Sequence, residues 1–311
     1  MPGIRGKSLN MVDKGNTRIK WLGAGILFAA LWASASAATK IGLTVAQPLV
    51  IAEVRFAVAA LLMLLITHLI FRHRLPRGIE WKQLALYGLL NITIYLGCYV
   101  VAMQTVSAGI GSLSTATNPV FISFMSVFFL NKKMTGPLIL ALVICSAGVV
   151  CAAWPLFRNA YVTPGGLLIL FFSMLSYSVA AIYFSSRKWN DLHLFTINGW
   201  QTFLGGLFLL PLTLLFYKND SNHFDFTFWK CVGWLAIPVS IFAVQTWLWL
   251  LNTNPVRAGL WLFLCPLFGF LYAAWLLAEP ISFYTIVGVL LVITGLVISR
   301  RNVQKDEVVF D

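Results

Sequence analysis

Charge is what this chain has least of. Asp, Glu, Lys and Arg make up 10% of its 311 residues, where a soluble domain carries about 25%. So little polar side chain cannot cover a soluble globule, and 59% of the residues are hydrophobic. Acidic residues are scarcest, 10 against 22 Lys and Arg. Of these only Glu53 and Glu279 fall near membrane depth, each near the end of an apolar run, so no carboxylate is expected at mid-bilayer. The histidines, His68, His73, His193 and His223, lie at run ends or in connections. Cys98, Cys145, Cys151, Cys231 and Cys265 are scattered and odd in number, with neither a disulfide framework nor a metal-ligand spacing. There is no nucleophile–base constellation and no phosphate-binding loop. An intramembrane enzyme, a resident cofactor and an ATP-driven pump are therefore not expected.

What the chain has instead is apolar runs of about 20 residues, enough to cross a hydrocarbon core of about 30 Å. Ten are predicted, at 20–41, 48–71, 83–104, 107–130, 135–156, 164–186, 193–217, 229–252, 255–278 and 281–299. The first follows Arg18 and Lys20 and passes through small residues, Ala33–Ala38, as a secretory leader would. It continues past them, so a retained helix is expected, with residues 1–19 and 301–311 as tails. Residues before Arg18 are expected to be disordered. Placing the N-terminus in the cytoplasm puts 17 of the 22 Lys and Arg on that side. Lys40, Arg158, Lys218 and Lys230 fall outside and Arg55 within the membrane. That bias predicts cytoplasmic termini. It also accounts for the net charge of +12 without a nucleic-acid partner.

The two halves echo each other. Aligning Pro119 in Ser114–Thr135 with Pro266 in Trp261–Ser282 gives an offset of 147, which also pairs Phe124 with Leu271, Leu130 with Leu277 and Gly148 with Gly295. An offset near 145 pairs Trp32 with Tyr177 and Arg55 with Trp200. Five helices per copy is odd, so residues 20–157 and 158–300 should form inverted-topology repeats, a plan of secondary transporters. The expected fold is all-α integral membrane, ten helices in two inverted five-helix repeats.

These residues carry a resemblance. FAALWASASAATK with Trp32, AEVRF with Arg55, SAGIGSLSTATNPVF, LNKKMT followed by Gly148, SMLSYSVAAIYF with Tyr177 and RAGLWLFLCPLFGFLYAAWLLAEPIS with Gly295 resemble the EamA-type branch of the drug/metabolite transporter superfamily. The resemblance covers about residues 20 to 300. It implies a secondary carrier in a cell inner membrane, most often an exporter of a small metabolite such as an amino acid or a derivative. A multidrug exporter of lipophilic cations is the alternative within the class, and a membrane-embedded enzyme or receptor the alternative outside it. The family's Gly-Glu before the fifth helix survives in the second repeat as Glu279; the first has Asn131 and Lys132.

Three groups of residues could serve transport. Lys40, Glu53, Arg55 and Glu279 are charges whose exposure to lipid would be costly, so they should face protein or water. Glu53 and Arg55 are two apart and point to different sides, which leaves Lys40 as a partner for Glu53. These charges could fix the helix arrangement, gate, or couple transport to a proton. Trp32, Tyr95, Tyr99, Asn118, Tyr177, Gln245, Trp249 and Trp261 form a second group, on helices one, three, four, six, eight and nine. They are expected to line a central cavity for the solute, with Asn91, Ser112, Thr115 and Ser173 as further polar neighbours or interhelical glue. The third group is Pro119 and Pro266, helix breaks at matching places in both repeats. The partners implied are a small-molecule solute, the lipid bilayer and, if a carboxylate couples, a proton; the chain would act as a monomer or homodimer.

Overall fold

The computed structural model describes the backbone of residues 5–131, 134–159, 163–277 and 282–308. Among them there is no strand, and ten long helical segments follow one another. They are α1 (Arg5–Gly42), α2 (Pro48–Ile70), α3 (Ile79–Ala102), α4 (Ala108–Phe129) and α5 (Gly136–Asn159), then α6 (Pro164–Ser186), α7 (Leu194–Leu215), α8 (Phe226–Thr253), α9 (Pro255–Leu276) and α10 (Phe283–Val308). Seven are long and apolar enough to span a membrane. α7 has the length, 22 residues, but buries Thr196, Asn198, Gln201 and Thr202. In α5 and α10 the apolar stretches are Gly136–Gly148 and Ile286–Ile298. α1 starts earlier than expected: the polar stretch before Arg18, anticipated as disordered, is helical back to Arg5. Adding one hydrogen bond per residue to an existing helix avoids the cost of a new nucleus.

Helix starts follow from local chemistry. Asp225 accepts from Phe228 N at 2.9 Å, Thr163 from Gly166 N at 3.1 Å and Asn254 from Arg257 N at 3.1 Å, each satisfying a first-turn amide. Pro48, Pro164 and Pro255 occupy first-turn positions, where a missing N–H costs nothing. The outer surface is apolar: Leu61, Phe124, Phe128, Leu214, Leu271 and Leu290 are all exposed, as a lipid-facing surface requires.

The two repeats pack as inverted copies. α2 lies against α7 and α5 against α10, while α1 with α9 mirrors α6 with α4. Individual contacts repeat too. A Cβ on Gly269 would strike Ser112 Oγ, and one on Gly259 would sit 3.7 Å from Ile122; an offset of 147 converts one pair into the other. At the α5–α10 crossing a Cβ on Gly148 would lie 3.0 Å from Val292 N, and one on Gly295 would strike Cys145 Sγ, again mates.

Irregular turns are duplicated as well. α3 widens into a π-helix over Leu89–Leu96 and α8 over Leu235–Ala243. α4 tightens to a 3₁₀ turn at Thr115–Thr117 and α9 at Trp261–Leu264. Pro119 and Pro266 thus sit just after a tight turn, in the first turn of the helical segments Asn118–Phe129 and Cys265–Leu277. There the absent N–H is tolerated, and the break precedes the proline.

Candidate translocation site

The irregular turns surround an aromatic centre. α1 supplies Phe28 and Trp32, the π segment of α3 supplies Tyr95, α6 supplies Tyr177 and α8 supplies Trp247. Tyr95 and Tyr177 rings are 4.7 Å apart, Trp32 is 6.4 Å from Tyr95 and 6.0 Å from Tyr177, and Tyr177 stacks on Trp247 at 5.6 Å. Phe28 closes the group, 4.9 Å from Trp247. Trp32 and Tyr177, paired by the repeat offset, thus meet at the interface between repeats.

Beside this cluster lies a cavity of about 10 Å³, room for about one water. Trp32, Ser36, Arg55, Tyr95, Tyr99, Ser112 and Thr115 line it, with Val239 from the second repeat. The charge among these residues is Arg55, which is 2% exposed. Its Nε donates to Ser240 Oγ at 2.8 Å, whereas its Nη2 is buried without a hydrogen-bond partner. No carboxylate lines the cavity among the described residues.

Arg55 is anchored to a buried polar chain. Asn198 Nδ2 donates to the Ser240 carbonyl at 3.1 Å, Gln201 Nε2 to Asn198 Oδ1 at 3.2 Å, and Asn91 Nδ2 to Gln201 Oε1 at 3.1 Å. The chain ties α2, α8, α7 and α3 together through the apolar interior. Satisfied in this way, the amides avoid the cost of an unpaired polar group in a low-dielectric core.

The expected site residues divide. Trp32, Tyr95 and Tyr99 line the cavity, with Tyr177 packed on its wall. Asn118 is fully buried nearby, accepting from Ser178 Oγ at 3.1 Å and donating to Met174 Sδ at 3.4 Å, so it braces α4 against α6. Trp261 is buried against Gly25 of α1. Gln245 is half-buried, its Oε1 without a partner. Trp249 is 38% exposed and pairs with Trp21 at 5.8 Å, away from the aromatic cluster. Trp247 is the buried tryptophan of α8, stacked on Tyr177, while the i, i+4 pair Gln245 and Trp249 lies off that face of the same regular turn. Glu53 lies against α7, where a Cβ on Gly206 would be 3.5 Å from its Oε1; its Oε2 has no hydrogen-bond partner. Among the described residues no ion pair joins it to Lys40. Glu279 lies outside the described residues. Phe28, Trp247, Ser240, Asn198 and Gln201 were missed. For α7 the signal was present: four polar residues within seven positions of an apolar helix.

Loops close the two faces of the bundle in related ways. On the face away from the termini, Gln47 before α2 meets the α7–α8 connection: its N–H donates to Asn222 Oδ1 at 2.8 Å and its Oε1 accepts from Lys218 N at 2.7 Å. His223 N also donates to the Val45 carbonyl at 2.8 Å. On the face of the termini, the α2–α3 and α6–α7 connections meet. Arg74 grips Glu80 with two bonds of 2.8 Å and reaches the Asn190 carbonyl. His73 stacks on His193 at 4.1 Å. Glu80 raises the Arg74 value, while burial and then the neighbouring His73 lower that of His193. The same face holds a larger pocket, about 220 Å³, between the ends of α4, α6 and α8, lined by Leu130, Phe184, Arg187 and Asn252 among others.

A model of the EamA-like transporter family matches residues 19–154 and again 164–301. The chain belongs to the EamA-like transporter family. It is a multi-pass membrane transporter built of two copies of the family unit. An uncharacterised transporter of Archaeoglobus fulgidus is 26% identical over 289 residues, 91% of this chain and 99% of the relative. The uncharacterised inner membrane transporter YedA of Escherichia coli K12 is 25% identical, over 83% of this chain and 84% of its own. A crystal structure matches with a TM-score of 0.75 over 93% of this chain and 99% of the other, at 16% identity, a likeness of fold.

Proposed function

We propose that this EamA-family transporter is a secondary carrier that exports a small metabolite, such as an amino acid or a derivative, by alternating access. It works as a monomer or homodimer in a cell inner membrane, with both termini cytoplasmic. One observation carries the reading: the aromatic centre is built by both repeats at their interface, beside a cavity closed down to about 10 Å³. A wider pocket opens toward the face of the termini and a hydrogen-bonded loop clamp covers the opposite face. Rocking of one repeat against the other would widen the centre and release the clamp. A buried cation and no described carboxylate at the centre weigh against a lipophilic-cation cargo.

Glu53 is the described carboxylate best placed to take up a proton during the cycle, since its Oε2 is buried without a partner; Glu279 is second. Flux of labelled amino acids into proteoliposomes, with and without a pH gradient, tests the carrier reading. Accumulation that depends on the protein supports it, and no protein-dependent flux of any solute in the screen removes it. Loss of the pH dependence in Glu53→Gln, with insertion intact, supports coupling at that residue. Unchanged pH-dependent flux in Glu53→Gln, Glu279→Gln and the double variant excludes both carboxylates.

A further inference from the structure

Arg55 poses a chemical question that folding alone does not answer. Guanidinium groups inside membrane proteins are costly and are usually paired. Here Nε is held by Ser240 at 2.8 Å, yet Nη2 has no hydrogen-bond partner. The residue is 2% exposed and lines the central cavity. Glu53, two positions earlier, is turned about 200° away on the same helix and lies beside Gly206 of α7. In the cavity wall around Arg55 the hydroxyls of Ser36, Ser112 and Thr115 already donate to the carbonyls of Ala33, Cys265 and Ser112, and the rings of Trp32, Tyr95 and Tyr99 complete the lining, so Arg55 is the group there with donors to spare for an anion. A fixed guanidinium edge in an apolar, aromatic surround is built to bind one planar monoanion.

We propose that Arg55 is the receptor for the carboxylate of the solute, and that the cargo is an organic carboxylate whose apolar or aromatic body packs against Trp32, Tyr95 and Tyr177. Ser240 fixes the guanidinium through Nε, which leaves Nη2 as the nitrogen free to pair with the anion when the site opens. A single cation matches a monoanionic carboxylate. A phosphate dianion would be left under-neutralised, and an amine without a carboxylate would be repelled. The assignment rests on the carrier reading for the word cargo, but binding itself can be read without transport.

The test uses the full-length protein in detergent and in liposomes. Thermal stabilisation of the purified protein is measured with the common amino acids, the carboxamide of each, and the corresponding amines that lack the carboxylate. Flux of the same compounds is measured separately in proteoliposomes. The expected result is that at least one amino acid stabilises the wild type at a concentration at least about tenfold below its amide, and that the amine has no effect. Arg55→Gln abolishes this preference and Arg55→Lys, which keeps charge without the planar fork, retains part of it. Ser240→Ala, which keeps the charge and loses the orienting bond, weakens the acid more than the amide. It also covers the case in which Arg55→Gln does not fold. Equal binding of acid and amide, a preference that survives Arg55→Gln, or no binding by any carboxylate in the panel overturns the proposal. Transport of amines or neutral solutes alone would leave the carrier standing and remove this assignment. Arg55-dependent binding without flux would do the reverse.

Discussion

Ser240 serves two neighbours at once: its hydroxyl accepts from Arg55 and its carbonyl from Asn198. The same economy runs along Asn198, Gln201 and Asn91, so removing one member strands another in a low-dielectric interior. Asn198→Leu should therefore lower stability by about 1–3 kcal/mol, through loss of bonds to Ser240 and Gln201. Thermal unfolding in detergent reads this, and an unchanged midpoint would show that the chain is not a supporting network. Legibility at this scale was uneven. The aromatic positions Trp32, Tyr95 and Tyr177 could be nominated because a large polar-tipped ring in an apolar run has few places to go. Asn198 and Gln201 carried an equally strong signal, but their neighbours are long-range and no spacing names them. Trp249 was nominated and Trp247 missed, because the i, i+4 spacing of Gln245 and Trp249 shows that they share a face but not which way that face points.

At the scale of elements, the α5–α10 contact depends on two glycines. A Cβ on Gly148 would come within 2.7 Å of the Gly288 carbonyl, and one on Gly295 would strike Cys145. Gly148→Ala and Gly295→Ala should each cost about 1–3 kcal/mol by forcing backbone apart, read as a lowered melting temperature; wild-type melting in both would contradict the close approach. The loop pairing on the face of the termini should be pH-sensitive. His193 lies against His73, whose carbonyl contacts His68 Nδ1, with Arg74 and Asp191 alongside. Because burial and His73 lower the His193 value, the undocked loop binds a proton more readily than the docked one. The docked state is favoured above the ordinary histidine value of 6.5 and loses stability as the pH falls through the lowered one. Protection factors of the amides in residues 187–193, corrected for the intrinsic slowing of exchange at lower pH, should fall on acidification in the wild type and less so in His193→Gln. An equal fall in both would assign the effect elsewhere. Helix number was readable because each run is about one bilayer long. The prolines were readable as breaks, but not as breaks that precede them, since a 3₁₀ turn leaves no mark in composition.

For the whole molecule, the inverted repeat was legible from a handful of residues. Gly148 and Gly295, Trp32 and Tyr177, and the segments around Pro119 and Pro266 meet or mirror each other in space. Side-specific labelling tests the orientation. A cysteine at Asn219 should react with an impermeant reagent from outside intact cells and one at Arg74 should not; the reverse pattern would invert the chain. The central claim is that solute passes between the repeats, which requires the clamp joining Gln47 to Asn222 and Lys218 to open in every cycle. The most direct measurement places cysteines at Gln47 and Asn222 in a background lacking the native cysteines. Flux in proteoliposomes is then followed before and after closure with a short reversible cross-linker. The account predicts that flux stops when the link is closed and returns when it is reduced. Undiminished flux through a fully cross-linked protein would contradict it.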